Sequence, residues 1–163
     1  VRYIGKIEML NWPILKNVIK AGGTIFINRK NKKDLLSVNQ QVAELLQNGA
    51  TIGLFPEGKT SFGTEVLPFK APILEAARMA NSKIYPIVLS YRKNDNELAQ
   101  EVSFANVGWL TTVMNTLRLR NLIINVTVLP PVMALDFSDR ESLSEYLHQE
   151  ISKSYQSQQD FAN

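Results

Sequence analysis

The residues best suited to chemistry stand in one short segment, residues 53–60, with the sequence GLFPEGKT. The order glycine, any four residues, glycine, lysine and threonine fits the pattern of a phosphate-binding loop. In such a loop the lysine and threonine open a helix, because N–H groups of that first turn hold the phosphate. Here Gly63 and Pro68 follow closely and argue against a helix. Glu57 would also place a carboxylate among amides that must hold an anion, so the sequence argues against a nucleotide-binding loop.

The same segment predicts a carboxylate presented by a short loop. An apolar strand, TIGLF at 51–55, leads into Pro56, Glu57 and Gly58. Proline fixes the direction of the chain and glycine permits close backbone approach, so Glu57 is expected at the carboxyl edge of a parallel sheet, where ligands bind. The residues alone leave open whether Glu57 serves a ligand or caps a turn.

Hydrophobic periodicity predicts alternating helices and strands along the chain. Helices are expected at 12–21, 34–47 (with Asp34 as its cap), 71–80, 107–117 and from Ser138 onward, and strands at 24–28, 51–55, 84–91, 101–104 and 122–129. This order predicts an α/β fold with a mostly parallel central sheet flanked by helices. We expect one domain over 1–155 and a polar tail over 156–163.

Two apolar patterns carry more specific expectations. The segment IYPIVLSY at 84–91 is apolar almost throughout, which is typical of a parallel strand covered on both faces. A stripe of five large apolar residues at helical spacing is expected to lie in the core, although contact with acyl chains or a membrane is the alternative. The stripe consists of Trp109, Leu110, Val113, Met114 and Leu117.

Composition and charge exclude some classes of function. The chain has 163 residues and no cysteine, which excludes thiol redox chemistry and thiolate metal sites, and no metal site or cofactor is expected. Residues 1–33 carry eight basic residues against Glu8 alone, a net charge of +7 within a total of +3. This basic end suits a phosphorylated ligand, an anionic membrane or nucleic acid, or is a solvated surface. Nucleic acid is disfavoured because no aromatic residues form a base-stacking platform.

Four segments in order resemble the lysophosphatidate acyltransferase family, the membrane-associated glycerolipid acyltransferases. LFPEGKTSFGTEVLPFK at 54–70 resembles the third conserved block, with Phe-Pro-Glu-Gly and a Leu-Pro-Phe-Lys segment. GTIFINRK at 23–30 is similar to the second block, IYPIVLSY to the fourth, and GKIEMLNWP at 5–13 to the segment that follows the catalytic motif. The resemblance covers residues 3–91 and implies a glycerolipid acyltransferase-like fold.

The resemblance also implies a set of substrate-binding residues. These are Lys6, Phe26, Arg29, Glu57, Gly58, Thr60 and Ser61. Arg29 is expected to bind the acceptor phosphate, because a guanidinium forms bidentate contacts with oxyanions, unless it faces solvent in a basic turn. Glu57 is expected to orient an acceptor hydroxyl, while Thr60 and Ser61 hold the loop by side-chain to backbone hydrogen bonds. Lys59 and Lys70 are weaker candidates for added positive charge.

One departure from the family pattern concerns the catalytic base. The family uses a histidine followed, after four residues, by an aspartate. The single histidine here is His148, and Lys153 stands at the fifth position after it. His148 is therefore expected to be a solvated or partly buried helix residue. The resemblance implies that the catalytic block lies upstream of Val1, together with a membrane-anchoring helix, and that this chain holds no catalytic residue.

The activity that the resemblance implies is acyl transfer to an oxygen. The parent protein is expected to transfer a fatty acyl group from acyl-CoA or acyl carrier protein to the hydroxyl of a lysophospholipid such as 1-acylglycerol-3-phosphate. It is expected at the cytoplasmic face of a membrane, the fragment itself being soluble, with no partner nucleic acid. Two alternatives stay open: a non-catalytic lipid- or phosphate-binding module, and an acyltransferase for another lyso-lipid such as lyso-ornithine lipid.

Overall fold

A computed structural model describes residues 1–11, 17, 19, 21–27, 32–93, 97–105 and 107–160. The strands are β1 (Arg2–Lys6), β2 (Ile25–Ile27), β3 (Ile52–Gly53), β4 (Lys83–Ile84), β5 (Ile87–Arg92), β6 (Ile123–Val128) and β7 (Val132–Met133). The α-helices are α1 (Lys32–Gln47), α2 (Glu75–Met79), α3 (Trp109–Arg118) and α4 (Arg140–Asp160). Short 3-10 helices cover Ile7–Asn11, Ala71–Leu74, Gln100–Val102 and Ala134–Asp136.

The chain divides into two compact units. The first contains Val1–Pro56, Lys70–Ile84 and Met133–Leu143, and the second contains Glu57–Phe69, Tyr85–Val132 and the chain from Ser144 onward. That residues 1–155 form a single domain stays a prediction. Helix α4 continues to Asp160 and so enters the segment expected to be a polar tail. Within the part of the chain that the structure describes, no helix has the length and apolar character needed to cross a membrane.

A parallel sheet forms the centre of the first unit. Its strand order is β2-β1-β3, and β1 runs parallel to both neighbours. Ile4 pairs with Ile25, and Arg2 pairs with Ile52. The expected α/β class with a parallel sheet is confirmed. The central strand, β1, was not among the expected strands, because its alternation is short and interrupted by Gly5.

The core of the first unit joins this sheet to the helices beside it. Its buried residues are Ile4, Ile25, Ile27, Val38, Val42, Ile73 and Ala76. Helix α1 begins at Lys32, two residues before the expected start, so Asp34 lies in its first turn and is not the residue before the helix. A carboxylate there interacts favourably with the helix dipole. Most of the helix expected at 12–21 lies outside the described residues.

The second unit contains an antiparallel pair, and the expectation for residues 84–91 is wrong. Strand β5 begins at Ile87 and pairs antiparallel with β6, from Ile87 opposite Val128 to Arg92 opposite Ile123. Only one face is covered: Ser90 and Arg92 are buried, whereas Ile87 is 49% exposed. Both buried polar side chains have partners: the Ser90 hydroxyl donates to Gln158 Oε1 at 3.1 Å, and the Arg92 guanidinium donates to Gln159 Oε1 at 3.0 Å. Continuous apolar character therefore did not indicate burial on both faces.

The apolar stripe of α3 also differs from its expected place in the core. Leu117 is 74% exposed, and Leu110 and Met114 are exposed as well. The buried residue of this helix is Thr112, at 1% exposure, and its hydroxyl donates to the Ser103 carbonyl at 3.1 Å. No strand forms at 101–104: residues 101 and 102 belong to a 3-10 helix, and residues 103 and 104 have no regular secondary structure. Helical spacing identified the helix but assigned its buried face to the wrong side.

Helix α4 begins with a side-chain cap. The Asp139 carboxylate accepts a hydrogen bond from the Ser142 N–H at 2.7 Å, which satisfies one N–H of the first turn. This hydrogen bond lowers the pKa of Asp139 below its usual value. The helix therefore starts at Arg140, two residues after the expected Ser138.

Arg78 anchors the chain segment that precedes α4 in the first unit. Its guanidinium donates to the carbonyls of Ala134 at 3.2 Å, Phe137 at 2.5 Å and Ser138 at 3.0 Å. We expect Arg78→Ala to lower the free energy of unfolding by about 2 kcal/mol, because hydrogen bonds to a charged group are lost and carbonyls lose their donor. Urea denaturation measures this difference.

Arg118→Ala is the matched control for Arg78, because Arg118 is exposed at the end of α3. Its expected effect on the free energy of unfolding is within about 0.5 kcal/mol. Equal effects of the two substitutions would contradict the anchoring role of Arg78.

Candidate functional site

Two predicted site residues lie on neighbouring strands of the first unit. Gly5 pairs with Phe26 and Lys6 pairs with Ile27, so Lys6 and Phe26 both stand toward the carboxyl ends of parallel strands. Because side chains alternate across a strand, this register puts Lys6 and Phe26 on opposite faces of the sheet. Lys6 is exposed and Phe26 is half-buried. The structure brings these residues to one edge of the sheet without joining their side chains.

Arg29, the predicted phosphate-binding residue, lies outside the described residues. It follows the end of β2 at Ile27 by two positions in the chain. Its role stays a prediction from the resemblance.

The four remaining predicted residues belong to one loop, residues 57–69, in the second unit. Glu57 Oε2 accepts a hydrogen bond from the Leu67 N–H at 2.8 Å, which closes the loop across ten positions. Gly58 has a φ of +70°, a conformation that residues with a Cβ rarely adopt. Ser61 Oγ accepts from the Gly63 N–H at 3.1 Å, as expected of a residue that holds the loop. The side chain of Thr60 is exposed.

The environment of Glu57 alters its ionisation. Partial burial raises the pKa of this carboxyl above its usual value, and the Leu67 N–H and the charge of His148 partly oppose that rise. A half-buried carboxylate fixed at one oxygen has a defined orientation. It is suited to accept a hydrogen bond from a ligand hydroxyl.

The backbone of this loop also differs from that of a phosphate-binding loop. After β3, the next regular element is the 3-10 helix that starts at Ala71, so no helix opens at Lys59 and Thr60. The amides that would hold a phosphate in a first helical turn are therefore not arranged there. In the first unit, the Lys70 N–H donates to the Pro56 carbonyl at 2.8 Å and joins the two residues that flank the loop.

Sequence reasoning missed the residues of α4 that hold this loop. His148 Nε2 lies 3.2 Å from the Val66 carbonyl oxygen, and its ring meets the Phe69 ring edge-on with centroids 5.1 Å apart. The Tyr155 hydroxyl donates a short hydrogen bond to the Gly63 carbonyl. His148 and Tyr155 are seven residues apart, a spacing that places them on one helix face and was readable from the sequence. His148 is half-buried, as expected.

Among the described residues, no group of three or more His, Asp or Glu side chains is placed to hold a metal ion.

Comparisons with known proteins agree on one family and one fold. A family model described as Acyltransferase matches residues 1–90. A 1-acyl-sn-glycerol-3-phosphate acyltransferase of Neisseria gonorrhoeae is 32% identical over 149 residues, covering 91% of this chain and 58% of that protein. A lyso-ornithine lipid O-acyltransferase of Pseudomonas aeruginosa is 27% identical over 149 residues, covering 91% and 57%. The chain thus spans less than two thirds of the length of these relatives.

A solved structure shows the same fold. The crystal structure of the 1-acyl-sn-glycerophosphate (LPA) acyltransferase PlsC from Thermotoga maritima matches with a TM-score of 0.61 at 20% identity. The match covers 96% of this chain and 56% of that chain.

Gly58 offers a direct test of the loop backbone. We expect Gly58→Ala to lower the free energy of unfolding by about 1 kcal/mol, because a Cβ is disfavoured at a φ of +70°. Asparagine tolerates this conformation better than alanine, so Gly58→Asn should cost less. Urea denaturation of both variants measures the difference. An alanine variant as stable as the asparagine variant would contradict the positive φ at this position.

Glu57 makes stability depend on pH in a defined direction. Since its folded pKa lies above the reference value of 4.5, ionising it costs stability as the pH rises from 4.5 through the folded pKa. In the variant Glu57→Gln the side chain does not titrate, and its amide oxygen still accepts from the Leu67 N–H. We therefore expect Glu57→Gln to gain stability relative to the unsubstituted protein over the pH range that begins at 4.5 and extends through the folded pKa of Glu57. Urea denaturation across this range measures the difference, and a constant difference would contradict the raised pKa.

Proposed function

Because this chain belongs to the acyltransferase family, we propose that the protein transfers a fatty acyl group from a thioester to the hydroxyl of a lysophospholipid. The observation that carries this proposal is the extent of the family match. Residues 1–90 include every predicted substrate-binding residue, from Lys6 to Ser61. The relatives named above support it, since their names describe acyl transfer to lyso-lipids.

The proposed reaction exchanges one acyl bond for another. The acceptor hydroxyl oxygen attacks the thioester carbonyl carbon and forms an ester bond, while the carbon–sulfur bond breaks and the thiol leaves. The hydroxyl proton passes to a general base and then to the departing sulfur. A positioned base typically contributes about 10²- to 10⁴-fold to the rate. The proposed base is the histidine of a His-x4-Asp block elsewhere in the natural protein, because His148 here is not followed by an acidic residue at 153.

Glu57 and Arg29 have the principal binding roles in this proposal. Glu57 accepts a hydrogen bond from an acceptor hydroxyl, and its orientation is supported by the 2.8 Å hydrogen bond from the Leu67 N–H. Arg29 binds the anionic head group through two parallel hydrogen bonds. Lys6 and Phe26 contribute positive charge and an apolar contact at the edge of the sheet in the first unit. Gly58, Thr60 and Ser61 shape the loop that carries Glu57.

The proposed acceptor is 1-acylglycerol-3-phosphate. The relative that carries this acceptor in its name is 32% identical, against 27% for the lyso-ornithine lipid enzyme. A phosphate monoester also suits a guanidinium better than a zwitterionic ornithine head group does. Lyso-ornithine lipid is the second candidate acceptor.

The proposal extends to the donor and the place of action. Acyl-CoA or acyl carrier protein supplies the thioester, and the reaction needs no other cofactor. The parent protein works at the cytoplasmic face of a membrane, where its lyso-lipid acceptor resides.

A non-catalytic lipid- or phosphate-binding module is the second candidate function. The absence of a His-x4-Asp sequence from these 163 residues favours it for the chain taken alone. To separate the two, labelled acyl thioester and 1-acylglycerol-3-phosphate are incubated with this chain and with the natural full-length protein. Ester formed by the full-length protein supports the enzyme. Binding of the lyso-lipid without ester formation by either protein supports the module. The incubation is repeated with lyso-ornithine lipid in place of 1-acylglycerol-3-phosphate, and ester formed only in that second incubation changes the acceptor.

Arg29 gives this proposal its sharpest test. In the full-length protein, Arg29→Ala should raise the KM for 1-acylglycerol-3-phosphate about tenfold or more, because a charged hydrogen-bonding pair is lost. Arg29→Lys should recover part of this loss, since lysine keeps the charge but not the bidentate geometry. Arg120→Ala is the matched control, because Arg120 is exposed in the second unit. An unchanged KM for Arg29→Ala would refute the head-group role.

A further inference from the structure

The loop of residues 57–69 is held by hydrogen bonds to one helix of its own unit. This loop has no helix or strand, so its backbone groups need other partners. Helix α4 supplies two of them: His148 meets the Val66 carbonyl, and Tyr155 donates to the Gly63 carbonyl. Ser152, one turn beyond His148, has its hydroxyl 3.4 Å from the same ring nitrogen.

One peptide group connects His148 to Glu57. The carbonyl of Val66 and the N–H of Leu67 belong to the same planar peptide unit. His148 Nε2 lies 3.2 Å from its oxygen, and its N–H donates to Glu57 Oε2 at 2.8 Å. A carbonyl oxygen only accepts hydrogen bonds, so Nε2 of His148 must carry a proton and donate. The two bonds therefore form an unbroken chain from the His148 ring, through one peptide, to the Glu57 carboxylate.

We infer that His148 is a positioning residue, which orients Glu57 through the peptide between Val66 and Leu67. Donation to the Val66 oxygen polarises this peptide and strengthens its N–H as a donor, because hydrogen bonds in series reinforce one another. The edge-on contact with Phe69 holds the imidazole ring in place. The hydrogen bonds themselves are properties of the fold. Only the purpose of orienting Glu57, which is to bind the acceptor hydroxyl, rests on the proposed function.

His148 stands outside the part of the chain that the family model matches, which ends at residue 90. The loop that carries Glu57 lies within that part. The control of the Glu57 side chain thus comes from the C-terminal helix. Tyr155 supports the same arrangement from a second point, since its side chain is buried and its hydroxyl reaches Gly63, where φ is +77°.

Three substitutions, two of them at His148, separate the hydrogen bond from the packing of the ring. His148→Phe keeps a flat ring against Phe69 but removes the donor. His148→Gln keeps a donor near the place of Nε2, and Ser157→Ala, on an exposed part of the same helix, is the control. In the 163-residue chain, NMR gives the chemical shift and exchange rate of the Leu67 amide proton. We expect about tenfold faster exchange and an upfield shift in His148→Phe, with His148→Gln and Ser157→Ala close to the unsubstituted chain.

A second NMR measurement probes the hydrogen-bond chain from the Glu57 end, and it tests the inference even if His148→Phe does not fold. Glu57→Ala removes the last acceptor and should change the ¹⁵N shift of His148 Nε2. Unchanged Leu67 exchange in a folded His148→Phe variant, or an unchanged Nε2 shift in Glu57→Ala, would overturn the inference.

Acyl-transfer kinetics test the functional consequence of this inference. In the full-length protein, His148→Phe should raise the acceptor KM severalfold while the thioester KM stays unchanged, and His148→Gln should restore the acceptor KM. Equal changes in both KM values, or no rescue by glutamine, would contradict a positioning role. If the unsubstituted full-length protein transfers no acyl group, the proposed function fails, and the NMR measurements still decide the hydrogen-bond chain.

Discussion

The peptide between Val66 and Leu67 is the point on which the candidate site depends. Its N–H fixes one oxygen of Glu57 and its carbonyl meets His148, so a single planar unit is held from two sides. The loop around it has no regular secondary structure, and every buried backbone group in such a loop needs a partner from elsewhere. Side chains of α4 and the Ser103 hydroxyl, which donates to the Ser61 carbonyl at 2.6 Å, provide those partners. These groups give Glu57, which lies in a loop without regular secondary structure, a defined orientation.

The parts of this arrangement that are local in sequence were predictable. Gly58 adopts the positive φ that a turn after Pro56 and Glu57 suggests, and Gly63 and Pro68 indicated that no helix follows Lys59. Buried strands alternating with helices indicated the α/β class, since each pattern is set by side chains a few residues apart. The match to the family over residues 1–90 has the same origin, because its blocks are short and contiguous.

The features that were not predicted depend on residues whose hydrogen-bond partners lie far away in the sequence. The segment 84–91 is apolar almost throughout, yet β5 buries Ser90 and Arg92 on one face, and their hydrogen bonds to residues 158 and 159 make that burial tolerable. In α3, Thr112 is buried since Ser103 accepts its hydrogen bond, while the apolar Leu117 is exposed. Hydrophobicity alone therefore predicted burial of both faces of β5 and of the wrong face of α3. His148 is a half-buried helix residue as expected, but its contact with Val66 was not predicted, because nothing near it in the chain reveals Val66.

The surroundings of Glu57 have two opposing effects on its carboxylate. Partial burial strengthens any hydrogen bond that the carboxylate makes to a ligand, but burial also raises its pKa and so favours the neutral form. The Leu67 N–H and the charge of His148 act in the opposite direction, since both stabilise the ionised carboxylate. A glutamate in an open loop would ionise freely but would have no fixed direction. The hydrogen bond from the Leu67 N–H therefore fixes the direction of Oε2 and offsets part of the rise in pKa that burial causes.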